Sequence, residues 1–134
     1  MDNKSLLGID DNDNAIRDQY ELTVLMKDTN DDIRYRALQA GKTYQSVLAI
    51  AESSTNVGVD QAADIFRQLI NIRACEQLLR SQYDLDTGTS YEYFNTYERI
   101  EARYKVERLL YDLLQENHVQ VEVNATPCDV LSEV

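Results

Sequence analysis

Two blocks of helical periodicity stand on either side of one short break, and this pairing constrains the fold more than any other feature of the chain. Residues 31–53 place Ile33, Ala37, Ala40, Gly41, Tyr44, Val47, Leu48 and Ala51 at steps of three and four, as one face of a helix requires. Residues 60–81 follow with Ala62, Ile65, Phe66, Leu69, Ile70, Ile72, Cys75, Leu78 and Leu79. Only Ser54-Thr55-Asn56-Val57-Gly58-Val59 separates the two blocks, so the helices must run antiparallel. A two-helix hairpin cannot bury its own apolar stripe. The second block also wraps beyond one stripe: Phe66, Ile70 and Leu78 are left for a third helix or for another subunit.

The hairpin has an Asn or Asp start at Asn30, Asp31 or Asp32, and Asp60 is a plausible cap for its second helix. The small residues Ala37, Ala40 and Gly41 lie together and invite close approach of a neighbouring backbone. Residues 1–30 read as an acidic, mostly irregular arm, because Asp10-Asp11-Asn12-Asp13-Asn14 crowds like charges beside helix-breaking side chains. Within the arm, Tyr20 to Met26 is apolar enough to dock as a short extended piece. The Asp/Asn string resembles a calcium loop only superficially: Ile16 stands where the Gly belongs, and the distal Glu is missing.

Residues 82–91 form a linker around Gly88, and Asp84 and Asp86 read as turn residues. A third helix is predicted from about Tyr93 to Asn117, completing a linker-and-helix segment over 82–117. Tyr97, Tyr104 and Tyr111 recur every seven residues, with Ile100 and Leu114 between them, and read as its packing face, with a subunit seam as one use. Glu101 and Lys105, Arg103 and Glu107, and Arg108 and Asp112 are opposite-charge pairs on its exposed side. In the last segment, residues 118–134, Val119, Val121 and Val123 alternate with polar residues as a short half-buried strand would. Pro127 then opens a helical turn with Val130 and Leu131 facing inward.

The fold class expected is therefore all-α: a long antiparallel hairpin, a third amphipathic helix and a short C-terminal strand. Four Gly and one Pro in 134 residues argue against a sandwich or barrel.

Charge narrows the function. Residues 1–34 hold nine acids and four bases, net −5; residues 35–82 four and five, net +1; residues 83–134 eleven and four, net −7. A chain of −11 does not attract nucleic acid through its overall field. DNA contact would need local clustering of Arg34, Arg36, Lys42, Arg67, Arg73 or Arg80. The nine tyrosines suggest base stacking, but those of the third helix sit among Glu92, Glu98, Glu101 and Glu107, which repel phosphate.

Catalytic signals are missing. His118 is the only histidine, and no nucleophile arrangement can be built around it. Cys75 and Cys128 lie 53 residues apart without metal-ligand spacing, and no phosphate-binding glycine motif occurs. The chain reads as a non-enzyme with no cofactor, no metal site and no small-molecule ligand. Without a secretory signal or an apolar span it is expected in the cytoplasm with free thiols, Cys75 acting as a small buried hydrophobe.

The order of segments resembles the small terminase subunits of T-even-like tailed bacteriophages. The likeness rests on Asp31-Asp32-Ile33-Arg34-Tyr35-Arg36-Ala37-Leu38 opening the first helix and on the Ala-rich end Leu48-Ala49-Ile50-Ala51 before the turn. It also rests on Ala63-Asp64-Ile65-Phe66-Arg67-Gln68-Leu69-Ile70 in the second helix and on Val121-Glu122-Val123-Asn124-Ala125-Thr126-Pro127 in the tail. Residues 93–117 have no counterpart in it.

The resemblance implies a homo-oligomeric ring that recognises viral double-stranded DNA and recruits or regulates the large ATPase–nuclease subunit of a packaging motor. Subunits would pack through Ile33, Ala37, Ala40, Tyr44, Val47 and Leu48 of the first helix and Ile65, Phe66, Leu69, Ile70, Ile72 and Leu78 of the second. Val121, Val123, Val130 and Leu131 would form a partner-binding tail. The alternatives are an acidic helical inhibitor that mimics DNA on a host enzyme, and a structural adaptor.

Overall fold

The computed structural model describes residues 5–27, 31–53, 56–83 and 90–132. Among the described residues six helices follow one another: α1 (Asp18–Leu25), α2 (Asp31–Ser53), α3 (Val59–Tyr83), α4 (Ser90–Tyr93), α5 (Tyr97–Glu116) and α6 (Pro127–Ser132). The all-α expectation holds, and the hairpin occupies almost the span read from periodicity. α3 starts one residue early, so Asp60 lies in its first turn rather than capping it.

The hairpin is covered from within the chain. α5 lies along both α2 and α3 and contacts each more extensively than they contact one another. Its inward face is Ala102, Val106, Leu110 and Leu114, all buried. Small and β-branched residues at one end of this face let the helix sit deep between α2 and α3, where Val47, Leu48, Ala62 and Ile72 close the core. The tyrosine ladder points the other way. Tyr97, Tyr104 and Tyr111 are 75%, 62% and 52% exposed, so the face expected to pack is the solvent face. α5 also begins later than predicted, because Thr96 is extended and its side chain accepts a hydrogen bond from the Arg99 amide at 3.2 Å, ending the segment that contains α4.

Residues 5–27 of the N-terminal arm are irregular apart from α1. Tyr20 to Leu25 is helical, not extended, and Ile16, Tyr20 and Val24 are buried against α2. The Asp/Asn string folds into a turn that satisfies itself: the Asp10 carboxylate accepts from the amides of Asn14 and Ala15, and Glu21 accepts from the side chains of Asn12 and Asn14. Tyr20 donates to the Ala37 carbonyl at 2.7 Å. A Cβ on Gly41 would lie 2.8 Å from the Tyr20 ring. The small patch on α2 therefore admits an aromatic side chain of the arm, not the backbone of α3.

No strand forms among the described residues. α5 ends with His118 in the left-handed region (φ 55°) and the Val119 amide bonded back to the Leu114 carbonyl at 2.9 Å. Beyond it, Val119 and Val121 pack against the core as an irregular segment, since no neighbouring strand is within reach to pair with them. The segment is tied down where the Asn124 amide donates to buried Asn71 at 2.8 Å. α6 then folds over α2 and α3, and Cys128 forms a disulfide with Cys75. This corrects the expectation of free thiols: the sequence separation gave no hint that the tail returns to the middle of α3.

Candidate docking surface

An aromatic cluster organises the end of the molecule near α4. Tyr93 meets Tyr20, Tyr44 and Phe94 with ring centroids 4.8, 5.4 and 5.6 Å apart. The Arg17 guanidinium stacks over Tyr93 at 4.8 Å, and the Tyr93 hydroxyl donates to the Gln45 side chain. Burial pushes the Tyr93 phenol well above its ordinary value, with nearby Arg17 opposing the shift. This cluster is wholly structural: it sets where α5 begins and how the arm docks.

Two open grooves flank α5. One, of about 890 Å³, lies between the end of α2 and α5, with Ile50, Val57, Val106, Leu109 and Leu113 on its walls and Glu98, Glu101 and Lys105 at its edge. The other, about 870 Å³, lies between α3 and α5. There Phe66, Leu69 and Ile70 are half-buried and Tyr104 and Tyr111 exposed, with Arg73, Arg80, Arg103 and Arg108 around them. Glu76, Glu107 and Asp112 intersperse the arginines. Arg103 stacks over Phe94 at 5.1 Å and pairs with Glu107 at 3.2 Å, which stiffens this wall.

The six cationic residues proposed to touch DNA do not converge. Arg34 binds Asp31 at 3.0 Å and the Lys27 carbonyl at 2.7 Å; Arg36 binds Asp32 at 3.2 Å and the Cys128 carbonyl; Arg67 binds Asp64 at 3.0 Å. Lys42 is half-buried on α2. Only Arg73 and Arg80 share a groove, and they share it with Arg103 and Arg108 of α5, which sequence reasoning assigned only to helix-supporting ion pairs.

The twelve residues proposed for subunit packing divide sharply. Ile33, Ala37, Ala40, Tyr44, Val47, Leu48, Ile65 and Ile72 are buried in the chain's own core. Phe66, Leu69 and Ile70 are half-buried, and Leu78 is exposed. In the tail, Val121 is half-buried and Val123 exposed, while the side chains of Val130 and Leu131, like Asp84 and Asp86, lie outside the described residues.

Among the described residues no group of three potential metal ligands comes together, and no helix is long and apolar enough to cross a membrane. The chain matches no family model, no curated protein and no solved structure.

Proposed function

We propose that the protein is a non-catalytic accessory subunit that acts by docking, and that its target is the viral DNA-packaging motor implied by its likeness to small terminase subunits. The order of sequence segments supports the target. The groove between α3 and α5 supports the mode of action, because accessible apolar side chains among interspersed arginines and carboxylates on one concave face suit a protein partner with a mixed apolar and polar surface. The acidic remainder of the molecule steers encounter with a basic partner.

In this reading the ring closes through Phe66, Leu69, Ile70 and Leu78, since the rest of the hairpin stripe is occupied by α1, α5 and α6. Double-stranded DNA is a weak ligand, because Arg34, Arg36 and Arg67 are held by neighbouring aspartates. The same pairing favours the second reading, an acidic inhibitor of a DNA-handling host enzyme. The site of action in this reading is the cytoplasm of the infected cell, whose reducing conditions would open the Cys75–Cys128 disulfide, and the reading needs no cofactor.

The test titrates the purified chain against the large terminase subunit encoded by the same genome, following binding by calorimetry and ATP hydrolysis. Binding with altered hydrolysis is expected, weakened at least about tenfold by Arg73→Glu with Arg80→Glu. No binding and unchanged hydrolysis would overturn the packaging role. Inhibition of a host nuclease or polymerase would establish the inhibitor reading instead.

A further inference from the structure

The solvent side of α5 has an organisation that nothing inside the chain explains. Tyr97, Tyr104 and Tyr111 repeat every seven residues with Ile100 between them, and all four are exposed. They lie opposite the buried line Ala102, Val106 and Leu110. A seven-residue period on an exposed helix face is the spacing at which two helices pack along a shared seam. The stripe spans about 21 Å of helix, at 1.5 Å rise per residue. Among the described residues the ring contact made by this stripe is Arg103 over Tyr104 at 6.0 Å, the far limit for such stacking.

We propose that this face is a self-association site, at which α5 pairs with α5 of a second copy, antiparallel, about a two-fold axis beside Tyr104. Charge decides both the occupant and the direction. The exposed flank of the stripe carries Glu98 and Glu101 toward the helix start, Lys105 and Arg108 further on and Asp112 beyond them, with Glu101–Lys105 at 3.1 Å and Arg108–Asp112 at 4.0 Å along the helix. In an antiparallel pair Tyr97 lies across from Tyr111 of the second copy, and Glu101 falls between Lys105 and Arg108 of the second copy, twice by symmetry. In a parallel pair this flank meets the opposite flank of the second copy, which sets Arg108 against Arg103. The opposed helix dipoles favour the antiparallel pair as well.

Three half-to-mostly exposed tyrosines and one isoleucine bury on the order of 500 Å² per copy, the lower end for specific association, so the pair dissociates in the micromolar range. Tyr104, Tyr111 and Arg108 also line the α3–α5 groove beside Phe66, Leu69 and Ile70, so a copy paired through α5 does not at the same time dock a partner or close a ring there.

Sedimentation equilibrium of the full chain from about 1 to about 200 µM tests it by mass action. A concentration-dependent rise from one to two chain masses is expected. Tyr104→Glu, which places two carboxylates at the axis, should abolish the rise while leaving the far-ultraviolet dichroism unchanged. Glu101→Arg and Arg108→Glu should each weaken the dimer about tenfold, and the two together should restore it. A monomer throughout, a dimer indifferent to Tyr104→Glu, or no recovery in the double exchange overturns the proposal. A species larger than two copies that survives Tyr104→Glu overturns it in favour of a ring through α3.

Discussion

Arg17 and Arg99 donate to one acceptor: their guanidinium groups stand 3.2 and 2.7 Å from the side-chain oxygen of Asn95. Both arginines are buried, and between them they tie three distant parts of the chain together. Arg17 also donates to the Glu92 carbonyl at 3.2 Å, and Arg99 to the carbonyls of Leu6 and Ser5 at 3.0 and 3.1 Å. The N-terminal segment is therefore ordered by guanidinium donors rather than by apolar burial alone.

Replacing Arg99 removes the donors that hold residues 5 and 6. Arg99→Met should lower stability by about 2–4 kcal/mol and speed proteolytic cleavage within residues 5–17, because the carbonyls of Ser5 and Leu6 and the Asn95 side chain lose the donor of a buried guanidinium. Arg99→Lys should rescue little, since an ammonium cannot span the same acceptors. Equal cleavage rates in wild type and Arg99→Met would refute the clamp.

Gly41 is a site of close approach. Gly41→Ala puts a methyl group 2.8 Å from the Tyr20 ring. Despite the better helix propensity of Ala, the variant should be destabilised by about 1–3 kcal/mol, because the ring must move and its 2.7 Å hydrogen bond to Ala37 goes with it. A chemical denaturation midpoint equal to or above wild type would contradict this packing.

The Cys75–Cys128 disulfide closes a loop with a sequence separation of 53. The chain-entropy relation gives about 4 kcal/mol for a loop of that size, so the double variant Cys75→Ala, Cys128→Ala should lose up to that amount. Oxidised protein unfolded without reductant should show no free thiol in a colorimetric titration. Two free thiols in protein purified under air would return the chain to the free-thiol expectation.

Tyr93 makes stability sensitive to alkali. Its folded phenol ionises well above the unfolded value of 10.0, so its contribution is complete below pH 10 and is lost as the pH rises beyond it, where the unfolded chain releases the proton first. Tyr93→Phe loses the bond to Gln45, about 1 kcal/mol at pH 8, and with the hydroxyl it loses the proton that carries this sensitivity. The gap between wild type and variant, measured by urea unfolding, should therefore shrink from pH 9 to pH 11. A constant gap would show that the hydroxyl is not buried.

Periodicity alone specifies the long helices α2 and α3 and most of α5, but neither α1 nor α4. A repeat of three and four over more than twenty residues is expressed in any context, so α2 and α3 form where Ile33 to Ala51 and Ala62 to Leu79 place them. Pro127 likewise opens α6 because its fixed φ suits the first turn. Tertiary structure decided which faces meet. Helical spacing marks both Tyr97–Tyr104–Tyr111 and Ala102–Val106–Leu110 as stripes, and only the narrow space between α2 and α3 selects the second, because bulky rings cannot enter it. The same limit applies to the arm. Its acidic string looks unstructured until Asp10 and Glu21 find local donors and Arg99 reaches Ser5 and Leu6 across more than ninety residues. Local pattern carries no information about partners so remote in sequence, and the disulfide and the α3–α5 groove arise from such partners.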